Sequence, residues 1–178
     1  MKIYHTKGTR GLRVIWACEE LGIPYDVEII DFSPTFRNSP EWRELSPTGK
    51  VPAMEDDGFV MYESGAMLQY VLDRYSDGSL TPTLGTEDSA HCLQWGWFAE
   101  ATFARPLGDI IHHTLIKPEA ERIPAVVEDA RTRALSCLDA VEAAVIDADY
   151  LVANTFGAAD IMMGYTLMLA QRVNVLTG

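Results

Sequence analysis

The run Gly49-Lys50-Val51-Pro52-Ala53-Met54, followed by Asp56-Asp57-Gly58 and then Phe59-Val60-Met61-Tyr62-Glu63-Ser64, constrains the fold more than any other part of the chain. Proline has no amide hydrogen and is confined in sheets to strand starts and edges, so Pro52 marks the entry of a strand. Asp57-Gly58 between two short apolar runs is a tight hairpin signal. Glu63-Ser64 ahead of an apolar periodic stretch opens a helix. Strand, hairpin, strand and helix start follow one another closely enough to form a backbone cradle for an extended, peptide-like ligand.

The rest of the first half completes an α/β unit. Short β-like runs at residues 2–5 and 25–30 flank a helical stretch at 11–21, and strands at 52–54 and 59–62 precede a helix at 64–75. A βαβ unit followed by a hairpin and a helix is the thioredoxin-like order. After the turn-rich Asp77-Gly78-Ser79-Leu80-Thr81-Pro82-Thr83 the β signals vanish, and long helical patterns run over about 86–114, 119–145 and 158–175. The predicted fold class is therefore α/β plus all-α, with a domain at 1–78 and an all-helical bundle at 85–178. In Phe156-Gly157-Ala158-Ala159-Asp160-Ile161 the N-cap falls on Gly157, an acidic residue on Asp160, and apolar staple positions on Phe156 and Ile161. Asp160 is accordingly a folding residue and not a candidate for chemistry.

Composition limits the partners. With 178 residues, 48% hydrophobic and 22% charged, the chain can bury one large core or two smaller ones. A formal net charge of -12 without a basic block disfavours nucleic acid and anionic membranes. No apolar run approaches the roughly 20 residues that span a bilayer, and Met1-Lys2-Ile3-Tyr4 leads into a strand pattern instead of a secretory leader, so a cytoplasmic protein is expected. Cys18, Cys92 and Cys137 form no C-x-x-C or zinc-ligand pattern and read as reduced thiols, with Cys18 in the core. The four histidines contain no H-x-x-x-H pair, adjacent His112 and His113 fall on different sides of a helix, and no metal is expected.

Taken together, these motifs resemble those of the glutathione transferase family, and most of the chain takes part in the resemblance. It implies a thioredoxin-like glutathione-binding domain and a helical domain lining the pocket of a second, apolar electrophilic substrate. Glutathione is an extended tripeptide that pairs its cysteinyl amide and carbonyl with main-chain groups at a sheet edge, a role that falls on Val51. In the family the bond before the equivalent of Pro52 is cis. Ser64 is assigned the γ-glutamyl carboxylate, held at a helix N-terminus, and Glu63 the neighbouring ammonium. Lys50 is assigned the glycyl carboxylate. Taken alone, Val51-Pro52 is an ordinary strand start, Glu63-Ser64 an ordinary cap and Lys50 a solvated lysine; the combined spacing makes them a site. Two departures stand out. Gly157 occupies a position where the family usually has Ser or Thr, and the chain stops at Gly178 where similar proteins continue through further helices.

Catalysis in this family requires a thiolate. A thiol of pKa ~8.5 is only about 3% ionised at pH 7, whereas one near ~6.5 is about three-quarters ionised. A hydroxyl donor and a helix N-terminus achieve such a shift, and both are offered by His5-Thr6-Lys7-Gly8-Thr9-Arg10-Gly11-Leu12-Arg13-Val14. Counting back from Arg13-Val14 puts the family's hydroxyl position on Thr9 and the position of a cysteine in some bacterial members on Arg10. Thr6 and Arg10 stand as alternatives to Thr9, and Thr9 as a simple helix precap stands beside the catalytic role. Tyr4 reads as a strand residue with its ring in the core. Trp95, Trp97, Phe98, Phe103, His112 and Tyr165 are the candidate pocket wall, although at least half of such aromatics belong to a core. The resemblance also implies a homodimer. A non-catalytic glutathione-binding or protein-interaction module of the same fold is the main alternative, and a glutathione-dependent thiol oxidoreductase a weaker one, since the first loop contains no cysteine.

Overall fold

The computed structural model describes residues 1–177, which separate into two units, the first Met1–Thr81 and the second from Pro82 onward. The first contains β1 (Lys2–His5), α1 (Leu12–Leu21), β2 (Asp26–Ile29), α2 (Pro34–Arg37), α3 (Pro40–Leu45), β3 (Ala53–Asp56), β4 (Phe59–Tyr62) and α4 (Ser64–Tyr75). Its sheet has the order β2-β1-β3-β4; β1 runs parallel to β2 through the α1 crossover, and β3 and β4 are antiparallel to their neighbours. This is the thioredoxin-like arrangement.

Alternation along the strands builds a core on each face of the sheet. Ile3 and Met54 point to one side, where they meet Val14 and Cys18 of α1 and Met67 and Val71 of α4. Tyr4 and Ala53 point to the other, where they meet Ile30 and Trp42 with Phe36, Leu45 and Val51 packed around them. The second face needs a cover, and α2 and α3 supply it. Neither helix shows in the hydrophobic pattern of residues 31–51, because segments of four and six residues carry no helical periodicity. Their caps were nevertheless visible: Ser33 and Ser39 accept from the Phe36 and Trp42 amides at 3.3 and 3.2 Å, and each is followed by proline at the first helical position.

The far end of the hairpin is tied to α4 by Asp56. Its buried carboxylate accepts from the hydroxyls of Tyr70 at 2.9 Å and Tyr75 at 2.5 Å, and Arg74 lies 3.5 Å away. Burial alone would push this carboxyl upward, but the Tyr75 and Tyr70 hydrogen bonds, with the nearby ammonium and guanidinium charges, outweigh it and hold its pKa below the usual carboxylate range.

The second unit comprises α5 (Glu87–Trp97), a π-helical turn at Phe98–Phe103, α6 (Ala104–Ile111), a second π turn at His112–Ile116, a short 3-10 turn at Glu119–Glu121, α7 (Pro124–Val145) and α8 (Ala158–Arg172). The uninterrupted helix expected over 86–114 is thus broken twice. Pro106 gives a physical reason for the first break: it has no N–H to return to the carbonyl of residue 102, so the ladder widens there. The Thr102 carbonyl faces the Cys137 thiol of α7 at 4.0 Å instead. The α8 start follows the expected pattern, with Asp160 accepting from the Gly157 amide at 2.9 Å and the Leu151 amide at 3.0 Å. That helix ends at Arg172, short of the expected 175.

Candidate functional site

Sheet register brings three separated segments to one end of the first unit. Ala53 pairs with Tyr62 and with Tyr4, so the entry of β3, the exit of β4 and the exit of β1 all lie at the same end of the sheet. Val51-Pro52, Glu63-Ser64 and the loop after His5 therefore converge. Gly11 shows how closely: a Cβ there would stand 2.5 Å from His5 Nδ1 and 3.2 Å from Pro52 Cβ, so only glycine fits.

The loop before β3 is pinned on its inner side. Arg37 Nε donates to the Gly49 carbonyl at 2.9 Å, and Arg43 Nη1 donates to the Pro47 carbonyl at 2.6 Å. Gly49 sits at φ 63° with the Arg37 carbonyl where a side chain would begin. The Val51-Pro52 bond is cis, as the resemblance implied. Val51 packs its side chain beneath the sheet against the Trp42 cluster. Among the described residues, neither its N–H nor its C=O has a hydrogen-bond partner. A donor and an acceptor left open side by side on a fixed backbone is what an incoming peptide strand requires. Lys50 is exposed beside them.

At the start of α4 the Ser64 hydroxyl does not cap its own helix. Glu63, not Ser64, is the N-cap, no side chain caps the first turn, and the Ser64 hydroxyl accepts from Arg13 Nη1 at 3.1 Å instead. Arg13 is fully buried and Ser64 nearly so. Arg13 shares the buried face of α1 with Ala17, four residues on, and a charge on such an apolar face is the sequence sign of a buried, partnered group. Uncapped helix amides, the positive end of the dipole and a buried guanidinium make this corner favourable to a carboxylate. Glu63 is exposed and held at φ 73°, ψ 100°, a conformation that non-glycine residues avoid.

In the first loop the candidate hydroxyls are already engaged. Thr6 donates to the Ile30 carbonyl at 3.0 Å, anchoring the loop to the end of β2. Thr9 donates to the Thr6 carbonyl at 2.7 Å, and its oxygen lies 3.3 Å from His5 Nδ1. A hydroxyl has one proton to give. With that proton on the Thr6 carbonyl, the second contact is His5 Nδ1–H donating to the Thr9 oxygen. Burial lowers the His5 pKa, disfavouring the charged ring. The Leu12, Arg13 and Val14 amides donate to the carbonyls of Thr9, Arg10 and Gly11 at 3.1–3.2 Å, so the first turn of α1 is internally satisfied and presents fewer open donors than a helix N-terminus usually does. Tyr4 has its ring in the core against Trp42 and donates to Glu55 at 3.1 Å. Cys18 is buried in the first core, its thiol pushed up to about 11 by desolvation; it is an inert packing group.

Within the second unit the six candidate wall residues separate. Phe103 and Tyr165 belong to the helical core, Trp95 and Phe98 stack edge to face at 5.2 Å in half-buried positions, and His112 and Trp97 are exposed, Trp97 by 68%.

The architecture defines a thioredoxin-like ligand-binding unit followed by a helical one, and comparison with known proteins narrows the class. Residues 10–74 match the family model for the glutathione S-transferase N-terminal domain. The crystal structure of the glutathione transferase URE2P8 from Phanerochaete chrysosporium, solved with oxidized glutathione, superposes with a TM-score of 0.85 at 30% identity, over 96% of this chain and 78% of that one. Glutathione S-transferase 3 of Schizosaccharomyces pombe is 28% identical over 96% of this chain and 74% of its own length. The transcriptional regulator URE2 of Saccharomyces cerevisiae is 28% identical over 70% of this chain and 36% of its own length. The chain belongs to the glutathione transferase family.

Proposed function

We propose that the protein binds reduced glutathione and transfers it, as the thiolate, to a small apolar electrophile. The observation that carries this reading is the open Val51 N–H and C=O, fixed at the same end of the sheet as the electropositive start of α4. The cysteinyl residue pairs with Val51. The γ-glutamyl carboxylate takes the α4 amides beside Ser64, Glu63 meets the ammonium, and Lys50 meets the glycyl carboxylate. Pro52 ends the contact by withholding an amide. Glutathione-bound neighbours and relatives named as transferases support this assignment. Thr9 is the proposed catalytic hydroxyl. It serves by turning its proton from the Thr6 carbonyl to the bound sulfur, while His5 continues to donate to its oxygen. The protein is further proposed to be a cytoplasmic homodimer; no described helix is long and apolar enough to cross a membrane.

The engaged state of Thr9 favours a second reading, a glutathione-binding module with little turnover. One experiment separates the two. Calorimetric titration with reduced glutathione is paired with a conjugation assay on a chlorodinitrobenzene electrophile. Binding with turnover supports the transferase, binding without turnover supports the module, and the absence of binding overturns both.

A further inference from the structure

We infer that Ser46 is the positioning residue for the Val51 amide. This rests on the glutathione reading above and names what holds its main-chain contact in place. Ser46 lies just after α3, fully buried, and its hydroxyl makes two bonds to one residue: it accepts from the Lys50 N–H at 3.1 Å and donates to the Lys50 C=O at 2.7 Å. A serine hydroxyl carries one proton and free lone pairs, so both bonds exist at once. The Ser46 carbonyl also accepts from the Gly49 N–H at 2.7 Å, closing residues 46–49 into a turn beneath the same hydroxyl.

The geometric consequence comes from peptide planarity. The Lys50 carbonyl and the Val51 N–H belong to one planar group, and across a trans bond the N–H points opposite to the C=O. The cis bond in this chain is the next one, Val51-Pro52. Fixing the Lys50 oxygen on Ser46 therefore aims the Val51 N–H directly away from the protein interior, toward the side on which a ligand strand would lie. Ser46 touches no ligand. It removes the freedom of the Lys50–Val51 peptide to swing, so the ordering cost of that donor is met on folding and not on binding. Without the hydroxyl, the Lys50 carbonyl loses its buried donor and the plane is no longer defined.

The test compares wild type with Ser46→Ala and Ser46→Thr against two probes. One is reduced glutathione; the other is an analogue in which the cysteinyl carbonyl, the acceptor for the Val51 N–H, is replaced by methylene. Ser46→Ala is expected to weaken glutathione binding about tenfold, the loss of one well-oriented hydrogen bond. It should raise KM with kcat unchanged, and Ser46→Thr should restore both. Wild type and Ser46→Ala should bind the analogue equally. Equal glutathione affinity for wild type and Ser46→Ala would overturn the proposal, as would the same loss for both probes, which would mark a general loosening of the loop. If Ser46→Ala does not fold, Ser46→Thr decides: full affinity supports the clamp and a tenfold loss overturns it. A wild-type protein that fails to bind glutathione would instead overturn the underlying reading, and this inference with it.

Discussion

Arg13 of α1 donates from Nη1 to the Ser64 hydroxyl of α4 over 3.1 Å, joining the first turns of two helices with both side chains withdrawn from solvent. The contact gives Ser64 a structural task beside the ligand-binding one proposed for it. Ser64→Ala leaves a buried guanidinium proton without that acceptor, and is expected to lower the free energy of unfolding by about 1–3 kcal/mol. Glutathione affinity should fall as well. Urea unfolding and calorimetry on the same variant check the two effects; a variant that loses affinity at unchanged stability would show that the Arg13 contact contributes nothing.

Glu63 occupies backbone space that favours glycine. Glu63→Gly relieves that conformation while removing the charge assigned to the ligand ammonium. The expected outcome is a protein more stable by about 1 kcal/mol that binds glutathione more weakly. Opposite movement of the urea midpoint and of the affinity would establish that strain is retained here for the sake of the site.

Much of this arrangement was legible in the sequence because it rests on local chemistry. Pro52, Asp57-Gly58 and Glu63-Ser64 each carry a backbone requirement that a reader can recognise without a partner. The four strands, α1 and α4 followed from the same logic. What escaped depends on contacts between distant residues. Arg13 and Ser64 are 51 positions apart, and nothing local says that the hydroxyl will serve a guanidinium and not its own helix. The two short helices at 34–45 were hidden by their length, although Ser33-Pro34 and Ser39-Pro40 announced their starts. Pro106 likewise announced the widened turn within a helix that periodicity alone made continuous. The engagement of Thr9 with Thr6 and His5 appears only once the loop is closed.

Thr9 distinguishes transferase from binding module. If its hydroxyl donates to the bound sulfur, Thr9→Ala should lower turnover roughly 10- to 100-fold, as for loss of a hydrogen bond to a charged group. Glutathione affinity should change little and Thr9→Ser should recover most of the rate. Steady-state kinetics on both variants provide the check; an unchanged rate for Thr9→Ala removes this residue from the chemistry.

Asp56 should dominate a visible part of the acid limb. Because its folded pKa is depressed, its contribution is fully present above the unfolded carboxylate value of about 3.9 and is lost as pH falls through the lower folded value. Asp56→Asn should therefore be less stable at neutral pH, by about 1–3 kcal/mol for the loss of charge-assisted bonds from the Tyr70 and Tyr75 hydroxyls to a buried carboxylate. Its unfolding free energy should also vary less steeply than wild type between about pH 5 and pH 2. Chemical denaturation at a series of pH values measures both.

The most direct measurement is a titration of the purified protein with reduced glutathione, followed by thiolate absorbance in the ultraviolet from about pH 5 to 9. Saturable binding with the bound thiol's pKa well below its free value of ~8.5 is the expected result, and it would establish ligand and activation together. Binding with an unshifted thiol would contradict the transferase and leave the module. A protein that does not bind glutathione at all would contradict the site assigned to Val51, Glu63 and Ser64.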